Sequence, residues 1–275
     1  MDTDGHKEGI VGNSWVKHSY HYFIEHYYWE RQHFNRASSI EDLRKGIYRS
    51  EVPLNGVLTV LLRLLPSSTI TRFLNCFEIE GQKSFNPSTW SIFDFLEQID
   101  SKIDFIQPDV TLESAETRTF LELKVAAVIE VEQFIKYILL LAHWNKINSP
   151  SKKPCLFFVT KKELGLQWNK AEREKFFTGS SALFDLAQLK YKLHELLPPK
   201  LLAPYEELKP AVEETLGQLV LGAATWSQIG LFFIQELEGL KSQPDSDYKE
   251  MSIKLIGDFV NELRERKLIV KTSED

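Results

Sequence analysis

The sequence predicts an α/β protein in which a sheet is framed by helices. Three observations predict it. Two adjacent segments, Phe105–Glu113 and Arg118–Val125, read as strands joined by the turn Ser114-Ala115-Glu116-Thr117. A long helix, Val128–Trp144, follows them directly, and a strongly apolar strand, Cys155–Thr160, follows the helix. Beyond residue 165 the apolar residues recur at helical spacing.

Residues 14–36 contain no Gly or Pro and carry Trp15, Tyr20, Tyr22, Phe23, Tyr27, Tyr28, Trp29 and Phe34, which suits a helix. His18, His21, His26 and His33 interleave at spacings that match no tidy metal site, so they read as margins of a packed helix; exposed, the aromatics would suit base stacking. Ser38-Ser39-Ile40-Glu41 can cap a short helix. An apolar helix, Val57–Leu65, ends at Pro66, and a second, Thr69–Phe77, follows. Gly81–Ser88 is a polar loop. Trp90–Asp100 is read as a strand, although Ile92, Leu96 and Ile99 would also suit a helix. Ser149-Pro150-Ser151-Lys152-Lys153-Pro154 is a loop leading into Cys155–Thr160, and Lys161 and Lys162 follow that strand. Helices are expected over Lys170–Phe177, Ala182–Leu197, Tyr205–Gly222, Thr225–Leu240 and Asp247–Arg266, with Leu268-Ile269-Val270 as a short terminal strand. Pro198-Pro199 and Pro204 suggest a soft boundary. The chain then divides into an aromatic-rich helical extension (1–48), a core (49–200) and a helical region (201–275) that faintly resembles a helix-turn-helix.

Bulk properties narrow the function. The chain has 275 residues, 43% hydrophobic content and a formal net charge of −6, enough for a sizeable core and unlike a basic nucleic-acid coat. An acidic whole still permits a locally positive cleft, above all around a bound metal. The two cysteines, Cys76 and Cys155, lie far apart in apolar stretches, with no Cys-x-x-Cys pair, so buried free thiols in a reducing compartment are expected rather than a zinc site. The runs Val57–Leu65 and Ile138–Ala142 are too short to span a bilayer, and the start of the chain lacks a signal-peptide core. A cytoplasmic protein without membrane contact is the expectation.

The hairpin carries the chemistry. Folding it between Ala115 and Glu116 places Asp109 opposite Glu122. Glu122 and Lys124, two residues apart, project from one face with Phe120, while Leu121, Leu123 and Val125 point into a core. Two carboxylates and one amine thus converge. Carboxylate oxygens suit a hard divalent cation such as magnesium, and such a cation activates water and stabilises charge on a phosphate. Read blandly, the same residues make a solvated hairpin with a cross-strand ion pair.

Pro108-Asp109 followed by Glu122-Leu123-Lys124 resembles the signature of the PD-(D/E)xK nuclease superfamily, the restriction-endonuclease-like proteins. Gln133 and Tyr137, in Glu132-Gln133-Phe134-Ile135-Lys136-Tyr137, resemble a glutamine–tyrosine pair that recurs on the corresponding helix of the family. The order strand-strand-strand-helix-strand matches the family core, and the resemblance covers roughly residues 50–162. It implies a mixed central sheet flanked by helices, with the site at the sheet's edge. It implies Asp109 and Glu122 as ligands of Mg2+ or Mn2+, the carbonyl of Leu123 as a further ligand, Lys124 as the catalytic lysine and Gln133 as a positioning group, with Tyr137 in support. An additional acidic residue is expected before the first core strand. Glu51 and Glu97 are the two candidates, and Glu51 also reads as a charge favourable to a helix N-terminus. The activity implied is metal-dependent hydrolysis of phosphodiester bonds in DNA. A homodimer is an expected partner state, because one site cuts one strand. Two other readings stand beside it: a non-catalytic nucleic-acid- or protein-binding module on the same fold, and a helical scaffold in which the motif is coincidence.

Overall fold

The computed structural model describes residues 52–79, 85–86, 88–93, 106–147, 152–169 and 185–269. The expected aromatic helix at 14–36, the cap at 38–41, the helix Lys170–Phe177 and the acidic candidates Glu51 and Glu97 lie outside the described residues.

Among the described residues six strands form one open, mixed sheet: β1 (Glu78–Ile79), β2 (Ser91–Phe93), β3 (Val110–Glu113), β4 (Thr117–Leu123), β5 (Lys153–Thr160) and β6 (Val220–Thr225), in the order β1-β6-β5-β4-β3-β2. β4, β5 and β6 are parallel to their neighbours in that trio, while β2–β3, β3–β4 and β1–β6 are antiparallel. The parallel strands are buried on both faces, so they read as continuous apolar runs rather than alternations. Lys153–Thr160 shows this plainly, with seven buried residues in succession after Lys153.

Helices cover both faces. On one lie α1 (Val52–Leu64), α2 (Ser67–Leu74), α7 (Trp226–Lys241) and α8 (Asp247–Glu265), packed through Leu58, Phe73, Phe233 and Phe259 against Leu112, Leu121, Leu123 and Phe157. On the other lie α3 (Val131–Ile147), the short α4 (Leu164–Gln167), α5 (Leu186–Leu196) and α6 (Pro199–Gln218), packed through Phe134, Ile138, Leu189 and Val212 against Phe120, Leu156 and Phe158. No helix among the described residues is long and apolar enough to cross a membrane.

Several elements differ from the sequence reading. The helix expected over Tyr205–Gly222 runs instead from Pro199, through Pro204 and Pro210, to Gln218. Val220–Thr225, rich in helix-tolerant Leu and Ala, is a strand, because β5 and β1 take its backbone hydrogen bonds from either side. The sheet therefore draws on chain from both sides of Pro198-Pro199. The third strand narrows to Ser91–Phe93 within the described part of Trp90–Asp100. Leu268 and Ile269 are not a strand. They follow a Schellman cap of α8, in which Lys267 takes a positive φ of 57° and the Leu268 N–H donates to the Leu263 carbonyl at 2.9 Å. α3 is buried on all sides over Tyr137–Ala142 because α6 covers the face turned away from the sheet.

Candidate active site

β3 and β4 pair as Val110↔Leu121 and Leu112↔Thr119, so one further step puts Asp109 across from Glu122, the register read from the hairpin. Pro108 lacks an N–H and cannot extend the ladder. The Asp109 side chain takes over there: its Oδ2 accepts from the Leu123 N–H at 2.7 Å. Its Oδ1 accepts from Nδ2 of Asn55, which reaches in from α1 on the opposite side of the sheet.

Glu122 points to the α3 face with Phe120. Three donors converge on it. Gln133 Nε2 donates to Oε1 at 2.6 Å, Lys124 Nζ lies 2.6 Å from the same oxygen, and the Tyr137 hydroxyl donates to Oε2. Glu122 is 3% exposed and Lys124 9%. Burying an ion pair is costly unless further hydrogen bonds satisfy it, and Gln133 and Tyr137 supply them. Burial, followed by the charges of Glu122 and Asp109, pushes the Tyr137 hydroxyl well above its ordinary value near 10, so it remains a donor.

The surrounding backbone holds these groups in place. Lys124 N–H donates to the Val159 carbonyl at 2.7 Å, and the Lys124 carbonyl accepts from Trp226 Nε1 at 2.9 Å. The loop from β4 to α3 is pinned by Gln167 Nε2 to the Ala127 carbonyl at 2.6 Å and by a bridge between Ile129 and Trp168. That loop fixes where α3 begins, and with it the reach of Gln133 and Tyr137.

Glu122, Lys124, Gln133 and Tyr137 are brought together, while Asp109, across from Glu122, bonds the Leu123 N–H and Asn55; the place in the sheet differs from the expectation. β4 is an interior strand, so the group sits at the carboxyl ends of the parallel strands and not at the sheet's edge. Glu122 is buried against Lys124, while Asp109 is half-buried. Sequence reading missed Asn55 and Trp226 as partners, 54 and 102 residues from the atoms they bind. A polar residue in an otherwise leucine-rich helix was the available sign for Asn55; nothing local marks Trp226. Lys152 belongs to the far end of the sheet, where its Nζ donates to the Ser114 carbonyl at 2.7 Å. Lys161 and Lys162 are exposed at the site's end, just past β5.

Among the described residues no group of three or more His, Cys, Asp or Glu side chains is placed to hold a metal. The oxygen donors at hand are the two carboxylates, the Leu123 carbonyl and the Asn55 amide oxygen, which is buried without a hydrogen-bond partner among the described residues. An all-oxygen set fits a hard cation such as Mg2+ or Mn2+ and not zinc. The chain matches no family model, no curated protein and no solved structure. The fold and site alone define its class: an α/β protein with a mixed six-stranded sheet and a buried carboxylate–lysine cluster at the carboxyl ends of its parallel strands.

Proposed function

We propose that the protein is a divalent-cation-dependent nuclease of the PD-(D/E)xK type that hydrolyses phosphodiester bonds in DNA. The observation that supports this best is the cluster of Lys124, Gln133 and Tyr137 on Glu122, with Asp109 across the hairpin at the same strand end and bonded to the Leu123 N–H. The order β2-β3-β4-α3-β5 is in keeping with that core. In open α/β sheets, ligands bind beyond the carboxyl ends of the strands, which is where these side chains lie.

Asp109 and Glu122 would hold Mg2+ or Mn2+, with the Leu123 carbonyl beside them. The bound cation would supply Lewis-acid stabilisation of phosphate charge and a more acidic water. Lys124, paired with Glu122 at 2.6 Å, orients the attacking water or meets charge on the phosphate. Gln133 and Tyr137 fix the Glu122 carboxylate so that it need not reorganise during the reaction. The exposed Lys161 and Lys162 offer phosphate contacts just outside.

The test is cleavage of a panel of single-stranded, duplex and branched DNA, with RNA as control, in Mg2+ or Mn2+. Wild-type protein should cut at least one DNA substrate, chelation should stop it, and Asp109→Ala should be inactive. Absence of cleavage across the panel, with a protein or nucleic acid nonetheless bound, would favour the non-catalytic module.

A further inference from the structure

α1 turns Leu54, Leu58, Leu61 and Leu62 into the core, and Asn55 stands among them with 6% exposure. Its Nδ2 donates to Oδ1 of Asp109. A carboxylate can only accept, so the amide must present its NH2 end there, which turns its oxygen elsewhere. That oxygen is buried and has no hydrogen-bond partner among the described residues. Native structures rarely leave a buried acceptor so, and such a group calls for an explanation. A tether for Asp109 needs only the donor half of the amide. The acceptor half belongs to the same amide that holds Asp109, the carboxylate proposed to bind a cation that keeps several of its waters.

We propose that Asn55 is a positioning residue of the cation site: its NH2 group holds Asp109, and its Oδ1 accepts a hydrogen bond from a water carried by the cation. This rests on the nuclease reading and adds to it a group contributed from the opposite face of the sheet. Neither half of the role is available to leucine, and an aspartate at this position keeps only the acceptor.

Mn2+ binding to the full chain, followed by the electron paramagnetic resonance signal of free Mn2+, separates the possibilities without recourse to activity. Asn55→Leu should weaken binding about tenfold or more, as loss of groups just outside the ligand shell does. Asn55→Asp should bind Mn2+ at least as tightly as wild type, because it keeps an acceptor oxygen at this position and adds a negative charge. Its thermal stability in chelator should nevertheless fall, through repulsion with Asp109. A mere tether predicts the opposite for Asn55→Asp, which loses the donor and should lose Mn2+ as badly as Asn55→Leu. Unchanged binding by Asn55→Leu, or Asn55→Asp binding weaker than wild type, overturns the assignment while leaving the nuclease reading intact. If Asn55→Leu does not fold, the Asn55→Asp result decides. Failure of wild-type protein to bind Mn2+ at all sinks the nuclease reading, and this role with it.

Discussion

Asp109 shows how a carboxylate at a strand end serves structure as well as chemistry. Two facing carboxylates alone would predict that removing one relieves repulsion. The Leu123 N–H and the Asn55 amide reverse that sign, because both lose their acceptor in Asp109→Ala. The expected cost is about 1–3 kcal/mol in metal-free protein, read by urea unfolding in chelator. Lys124→Ala should retain cation binding yet lower the cleavage rate about 100- to 1000-fold, as loss of a single electrostatic group does; loss of Mn2+ binding in that variant would instead make Lys124 a structural partner of Glu122. Tyr137 gives a pH prediction. Its folded value is raised, so its contribution to stability is fully present below the ordinary value near 10 and is lost as pH climbs towards the folded value. Unfolding free energy should therefore fall more steeply above about pH 10 in wild type than in Tyr137→Phe. Equal slopes would show that the hydroxyl is not held as described.

Individual elements set further tests. α8 ends on Lys267 at a positive φ, a conformation that costs a residue with a Cβ about 1 kcal/mol. Lys267 is exposed, so little packing is lost on its removal. Lys267→Gly should stabilise the protein by about that amount, measured as a raised midpoint in urea. Gly222 is constrained in the other direction. It lies in β6 against the ring of Phe157, and an added methyl carbon would meet that ring at 2.8 Å. Phe157 itself is wedged between Phe77 and Phe85, with centroids at 4.8 and 5.6 Å, and has little room to move. Gly222→Ala should cost about 1–3 kcal/mol.

For the whole molecule, the decisive strand is β6. It lies between β1 and β5 and leads into α7 and α8, which cover the face opposite α3. Trp226, at the start of α7, also holds the carbonyl of Lys124. The C-terminal third is thus part of the body that positions the site. A chain ending at residue 200 should show no cooperative thermal transition, because β5 would lose its ladder partner and Leu123, Phe157 and Phe73 their cover. A sharp calorimetric transition in that truncated chain would show the core to be independent of β6.

What the sequence alone determined was local. The turn at Ser114–Thr117, the alternation through Leu121, Glu122, Leu123 and Lys124, and the length of the following helix are short-range patterns. They placed Asp109, Glu122, Lys124, Gln133 and Tyr137 together because a hairpin and a helix have fixed geometry. Tertiary structure decided the rest. Val220–Thr225 has no strand pattern of its own and became one only because neighbours on both sides supplied its hydrogen bonds. The same is true of the interior place of β4, the burial of α3 beneath α6, and the arrival of Asn55 from the far face. Each depends on contacts between residues far apart in the chain, and local periodicity carries no record of them.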